Sequence, residues 1–336
     1  MKEAKYFVVI DNTQKKIQCR LCPHNCLLTL NQTGKCRARK NIEGKLYSLT
    51  YGIASSVAID PIEKKPLYHF YPGSMILSIG SFGCNFKCGF CQNWEISHVG
   101  IEEADYYKEV SPQQLLVYAQ RYRDNIGISY TYNEPLINFE FVLETAKLFH
   151  QKGYKNVLVT NGFINKEPLL ELLPYIDAAN IDLKSFNKEF YKKICDGNLD
   201  FVLQTIETFF ENKKHIELTT LVIPQHNDSE KEIGEIVNYV ASLSKNIPLH
   251  FSRYYPMYKF EVPATSVNVL KKFYDIARQK LNYVYLGNVP DVEYNSTYCL
   301  NCGKVIIRRV GYDVTNCGLK EDTTCKFCGY KNFFVL

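Results

Sequence analysis

The chain has 336 residues, enough for one large domain with appendages or for two domains. Its apolar content of 46% is that of an ordinary globular protein, and no run of 18 apolar residues offers a membrane span. The formal charge of +5 counts thirteen cysteines as neutral; metal-bound thiolates would bring it to roughly zero, so a nucleic-acid partner draws no support. Blocks of like charge, low-complexity segments and internal repeats are absent, and Met1-Lys-Glu-Ala-Lys-Tyr6 is not a signal peptide. A cytoplasmic protein is the expectation, and there thirteen cysteines read as metal ligands rather than disulfides.

Residues 1–40 open with a β-like piece, Tyr6-Phe-Val-Val-Ile10, and continue into Cys19-Arg-Leu-Cys-Pro-His-Asn-Cys26 and Thr33-Gly-Lys-Cys36. Cys19, Cys22, Cys26 and Cys36 are four soft ligands among tight turns at Pro23 and Gly34, enough to close one metal. Structural zinc is the first reading and an auxiliary iron–sulfur cluster the second; His24 is read as a loop residue. A hairpin turning at Gly44 and a strand-like run from Ile53 to Ile59 follow. Asp60-Pro-Ile-Glu-Lys-Lys-Pro-Leu-Tyr-His-Phe-Tyr-Pro-Gly73 carries three prolines and reads as an irregular arm. From it Lys64, Lys65 and His69 could reach a site, or the arm could be solvated.

The apolar run Met75-Ile-Leu-Ser-Ile79 reads as a buried strand leading into Gly80-Ser-Phe-Gly-Cys-Asn-Phe-Lys-Cys-Gly-Phe-Cys-Gln-Asn-Trp94. Cys84, Cys88 and Cys91 are one thiolate too few to close a zinc site or saturate a four-iron cluster. That shortfall leaves an open coordination position, which suits chemistry.

Strands and helices then alternate: helix Pro112–Arg123 capped by Ser111, strand Ile126–Tyr132, helix Asn138–Lys152 closed by Gly153, strand Val157–Thr160, helix Glu167–Leu173 and strand Ala178–Leu183. Helical stretches over Lys188–Ile194 and Leu199–Asn212 lead to strand Ile216–Ile223, helix Ser229–Leu243, strand Leu249–Arg253, helix Val267–Lys280 and strand Tyr283–Leu286. The spacing predicts parallel βαβ units in an α/β fold, an open partial (β/α)6 barrel with fewer strands than a closed one. The division is a cysteine-rich module and arm (1–74), a core (75–292) and a ribbon-like C-terminal module (293–336).

Polar residues stand at successive strand ends: Thr131-Tyr-Asn-Glu-Pro135, Thr160-Asn-Gly162, Asp182-Leu-Lys184, Val222-Ile-Pro224, His250 with Arg253-Tyr-Tyr-Pro256, and Gly287-Asn288. C-terminal strand ends of such a sheet converge on one mouth, that of the cysteine loop. In the tail, Cys299-Leu-Asn-Cys302 and Cys325-Lys-Phe-Cys328 read as two zinc knuckles, with an auxiliary cluster as the alternative. Cys317 is spare, an exchangeable ligand or a buried thiol. Cys195 reads as a small buried hydrophobe.

With these residues in view the chain resembles radical S-adenosylmethionine (radical SAM) enzymes, whose Cys-x3-Cys-x2-Cys motif Cys84, Cys88 and Cys91 match. The resemblance implies a partial TIM-like barrel of that type and a [4Fe–4S] cluster chelated by S-adenosylmethionine. It further implies reductive cleavage to a 5′-deoxyadenosyl radical that abstracts hydrogen, fed by a reducing donor such as ferredoxin or flavodoxin. The strand ends resemble the pyruvate formate-lyase activating enzyme group. There Asn133 and Glu134 fall where the methionine amino group is contacted, Thr160, Asn161 and Gly162 match a Thr-Asn-Gly turn, Asp182 and Lys184 match an Asp-x-Lys at the methionine end, and His250 falls near the nucleoside. Val159 stands where some relatives carry an acidic ribose ligand, and Asn133 replaces a glycine.

Nearly the whole chain is similar to the radical SAM component of the AmmeMemoRadiSam system. The matching stretches are Cys19-x2-Cys-Pro-His-x-Cys26, Asp60 to Gly73, Gly83-Cys-Asn-Phe, Cys91-Gln-Asn-Trp94, Thr131-Tyr-Asn-Glu-Pro135 and Tyr285-Leu-Gly-Asn288. Partners from that system are then expected, and the modified substrate is a small molecule, lipid or protein. A glycyl-radical activase and a non-catalytic electron-transfer or metal-binding protein are the competing functions.

Overall fold

A computed structural model describes residues 1–336. Its centre is one eight-stranded sheet of β1 (Ser56–Pro61), β2 (Met75–Gly80), β3 (Asn125–Tyr130), β4 (Lys155–Thr160), β5 (Ala178–Asp182), β6 (His215–Val222), β7 (Leu249–Arg253) and β8 (Val284–Gly287). Each strand lies beside its predecessor in sequence; β2 to β8 are parallel and β1 runs antiparallel to β2. Between the parallel strands run α1 (Pro112–Gln120), α2 (Phe139–Gln151), α3 (Lys166–Leu172), α4 (Leu199–Glu211), α5 (Glu230–Leu243) and α6 (Val267–Arg278). Parallel neighbours need such crossovers, so all seven C-terminal ends open on one edge. The two outer strands, β1 and β8, are not paired with each other, and the sheet is open.

Local chemistry accounts for the helices. Ser111 accepts from the Gln114 N–H in a reciprocal capping box with Pro112 at the first turn of α1, and Ser229 accepts from the Glu232 N–H to start α5. On α4, Val202, Thr205, Ile206 and Phe209 make the buried stripe at helical spacing. Gly153 takes φ +76° beyond α2, where a side chain would be strained.

Two segments show detail beyond the sequence expectation. The run Ile53–Ile59 splits at Ser55, whose N–H bonds the Gly80 carbonyl, and Ser56–Pro61 then covers the outer edge of β2 as part of the main sheet. Lys188–Ile194 is one α-turn followed by a π-turn over Tyr191–Cys195, stopped by Asp196 in the left-handed region. The arm from Asp60 has one 3-10 turn, Ile62–Lys64, and is packed rather than solvated: Lys65, His69 and Phe70 are all buried.

The N-terminal residues form two three-stranded antiparallel sheets. They are joined to α2 by Arg39, whose guanidinium makes two 2.9 Å bonds to Glu140 with both side chains buried. A third small sheet comprises Thr297–Tyr298, Val305–Val310 and Asp313–Asn316. Buried Arg309 anchors it, donating to the Tyr68 carbonyl (2.6 Å) and the Thr297 hydroxyl (2.9 Å) and lying 3.4 Å from Glu63.

Candidate functional site

A cavity of about 610 Å³ opens at the C-terminal strand ends, within the usual range for a small-molecule site. Cys84, Cys88, Cys91, Asn133, Glu134, Thr160, Asn161, Asp182, Lys184 and His250 all line it. They come from the loop after β2 and from the ends of β3, β4, β5 and β7. Register does this: each strand residue but His250 is at or just past the last paired residue of its strand, and His250 sits within β7 between Thr219 and Tyr285.

The cysteine loop is pinned by amides. Asn133 accepts from the Ser81 N–H (3.0 Å) and donates to the Gly83 carbonyl (2.9 Å), so its side chain is spent on the loop. Asn161 donates to Asn85 Oδ1 (2.9 Å) and lies 3.6 Å from Cys84 Sγ, which also receives the Phe86 N–H at 3.3 Å. Gly83 has φ +85°, and a Cβ there would meet the Cys36 carbonyl oxygen at 2.2 Å. Tyr132 leaves β3 at φ 72°, an uncommon conformation for an aromatic residue and one that clusters at binding sites.

Charge is distributed deliberately around this wall. Burial pushes the Glu134 carboxyl up to about 7, although the Asn161 N–H (2.8 Å), the Thr160 hydroxyl (2.7 Å) and the Leu136 N–H (3.0 Å) all favour its anion. Lys184 pairs with Asp182 at 2.7 Å; burial opposes its charge, but that carboxylate above all keeps it an ammonium. The Cys195 thiol is fully buried, and its proximity lowers the Cys88 pKa. His250 donates to buried Glu217 at 2.7 Å, and Glu217 also takes His215 (3.0 Å) and the His69 N–H (2.7 Å). Against the cost of burial, those partners hold Glu217 well below the usual carboxylate range.

The C-terminal thiols Cys299, Cys302, Cys325 and Cys328 lie within 4.8 Å of one another, with Cys299–Cys328 at 3.6 Å and Cys302–Cys325 at 3.8 Å. Burial opposes ionisation of Cys299, yet the backbone N–H groups of Cys302 and Asn301 and the side chains of Asn332 and Cys328 bring it down to about 6. Cys317 stands outside this group, partly exposed and bonded to the Thr315 carbonyl. Cys19, Cys22, Cys26 and Cys36 line a second, small hollow at the base of the N-terminal sheets.

The match to the Radical SAM superfamily spans residues 78–238, from the end of β2 into α5 and across the cavity's cysteine loop. An uncharacterized protein of Methanocaldococcus jannaschii is 42% identical over the full length of both chains. The chain belongs to the radical SAM superfamily. The 4-hydroxyphenylacetate decarboxylase activating enzyme of Clostridium scatologenes is 27% identical over 40% of this chain and 45% of that enzyme. A domain of pyruvate-formate lyase-activating enzyme from Bacteroides vulgatus covers 48% of this chain and 99% of its own, at 24% identity and a TM-score of 0.43.

Radical SAM proteins are enzymes that use a [4Fe–4S] cluster and S-adenosylmethionine, and the donor set here fits both. Cys84, Cys88 and Cys91 are not gathered into a set able to hold one small ion, as the C-terminal thiols are. They face the 610 Å³ cavity instead.

Two residues that hold the lining of this radical SAM site from behind escaped sequence reasoning. Glu217 was missed, although His215, Glu217 and Thr219 alternate along one face of β6. Asp60 was missed too: it binds buried Lys65 at 2.6 Å and accepts from the Tyr132 hydroxyl. Of the arm residues expected to reach a site, Lys64 and Lys65 line the cavity; His69 packs instead against Phe334 and bonds Tyr285 at 2.6 Å.

Proposed function

We propose that the chain generates a 5′-deoxyadenosyl radical and uses it to take hydrogen from a small-molecule, lipid or protein substrate. The observation that carries this reading is the convergence of three thiols and seven strand-end residues on one cavity. When bound at Cys84, Cys88 and Cys91, a [4Fe–4S] cluster chelating S-adenosylmethionine supplies reductive cleavage to methionine and that radical.

In this reading Asn161 and the Phe86 N–H donate toward Cys84 Sγ and stabilise its thiolate, while Lys184 places a positive charge near Cys88. Lys184 and Asp182 offer a cation and an anion to the zwitterionic methionine end of the cofactor, and Glu134 a carboxyl to its ammonium. Thr160 holds Glu134 in place. Asn133 acts through the loop it ties rather than by direct contact. His250, oriented by Glu217, closes the nucleoside side. The open sheet is read as a partial barrel, with residues 1–74 and 293–336 as metal-binding appendages in a cytoplasmic protein; the C-terminal quartet has the spacing of tetrahedral zinc, whose 2.3 Å bonds set sulfurs about 3.8 Å apart.

The motif stretches shared with the AmmeMemoRadiSam system support membership of that type, with partners drawn from it and a ferredoxin- or flavodoxin-like electron donor. A second reading, an activase that installs a glycyl radical on a partner enzyme, draws on the decarboxylase activating enzymes among the relatives. The deciding experiment is anaerobic reconstitution with iron and sulfide, then a strong reductant and S-adenosylmethionine. 5′-Deoxyadenosine is expected; a fully loaded protein that forms none rejects both readings. A glycyl-radical signal on an added partner would select the second.

A further inference from the structure

The N-terminal quartet differs from the C-terminal one in a way that bears on its metal. The four C-terminal sulfurs gather within 4.8 Å of one another as a set able to hold one metal ion, whereas Cys19, Cys22, Cys26 and Cys36 are not gathered into such a set. All four nevertheless line a single hollow. Tetrahedral zinc requires sulfurs about 3.8 Å apart, and a four-iron cubane holds its thiolates well beyond that. In this respect the quartet matches Cys84, Cys88 and Cys91, the family's cluster ligands.

A second, independent observation lies in the wall of the same hollow. Arg39 is 1% exposed; its two terminal nitrogens are committed to Glu140, the Ile137 carbonyl and the Lys5 carbonyl, but its Nε–H is buried without a partner. An orphaned cationic donor beside four thiols calls for an anionic acceptor such as a cluster sulfide or a metal-bound thiolate. His24 does not compete as a ligand through Nε2, which donates to the Asn85 carbonyl at 2.7 Å.

We propose that Cys19, Cys22, Cys26 and Cys36 bind a second [4Fe–4S] cluster, closed by four thiolates and bordered by Arg39. With every iron ligated by protein it offers substrate no open position. It stands one backbone layer from the reactive loop: the Cys36 carbonyl lies against Gly83, and His24 reaches Asn85, whose side chain is bonded to Asn161 beside Cys84.

The assignment does not depend on radical chemistry, and its test is read without turnover. The triple variant Cys84→Ala, Cys88→Ala, Cys91→Ala is reconstituted anaerobically and its iron, sulfide and zinc are counted. The expected result is about four irons and four sulfides per chain, with one zinc and a paramagnetic signal on reduction. Two zincs and no iron would overturn it. Cys22→Ala in the otherwise unaltered chain should lower iron from about eight to about four per chain, and unchanged iron would equally overturn the proposal. Absence of 5′-deoxyadenosine from the intact chain would reject the radical reading while leaving these iron counts unaffected.

Discussion

Thr160 donates its hydroxyl to Glu134 at 2.7 Å, joining the ends of the neighbouring strands β4 and β3 around one buried carboxyl. With the Asn161 N–H on its other oxygen, Glu134 is positioned before any ligand arrives. Preorganisation of this kind removes the cost of ordering a side chain on binding.

Glu134 gives a pH signature. Its folded pKa is raised to about 7 by burial from an ordinary 4.5. The protonated form is therefore favoured by folding, and stability present below pH 4.5 is lost as pH rises through 7. The loss is at most about 3 kcal/mol. Urea midpoints of metal-free protein at pH 5 and pH 8 should show it, and Glu134→Gln should remove that part of the slope. The same variant should weaken S-adenosylmethionine binding at least about tenfold, or about 1.4 kcal/mol, in equilibrium dialysis.

Gly83→Ala should disrupt the loop more than any ordinary glycine substitution. It combines φ +85° with a Cβ 2.2 Å from a backbone oxygen that belongs to another module. A cost above about 2 kcal/mol is expected, read as a fall in the urea midpoint together with less iron per chain.

His69 imposes the opposite dependence at lower pH. Burial pushes it down to about 3, so it is neutral when folded; Nδ1–H donates to the Phe333 carbonyl and Nε2 accepts from Tyr285. The unfolded chain takes up this proton below pH 6.5, and stability is lost as pH falls from there toward 3. The slope is at most about 1.4 kcal/mol per pH unit. His69→Gln should flatten it in denaturant titrations between pH 4 and 6.5.

The C-terminal quartet should separate from the reactive loop by mutation. Cys328→Ser is expected to lose one zinc and lower Tm by several degrees, since a closed metal site contributes folding energy. Iron content and 5′-deoxyadenosine formation should persist. Cys88→Ala should abolish that product while retaining zinc. Equal loss of iron in both variants would count against the zinc reading.

Much of the fold was legible because its signals are local. Ser111-Pro112 and Ser229 start helices by satisfying orphan N–H groups, and the apolar runs at Met75 and Val157 are strands because nothing else buries them. The stretch read as helical over Lys188–Ile194 is helical, but its change from an α-turn to a π-turn at Tyr191 depends on how Tyr191 and Cys195 are buried, which apolar spacing does not encode. The arm from Asp60 was ambiguous for a related reason. Three prolines leave the arm only the end of β1 and one 3-10 turn, but they do not say whether the lysines between them face water or Asp60.

By itself, the sequence determined the chemistry at hand: three thiols on a strand-end loop, two further quartets, and polar residues at successive strand termini. Motif spacing and strand ends are properties of contiguous chain, and contiguous chain is what a sequence displays. Tertiary structure decided which of those residues remain free to bind. Asn133 is consumed by the Ser81 and Gly83 backbone, Glu217 gathers two histidines from two strands, and the C-terminal sulfurs gather into a metal-sized set that the N-terminal ones do not form. Such distinctions rest on distances between residues remote in sequence, fixed only when the sheet and its two cysteine modules pack together.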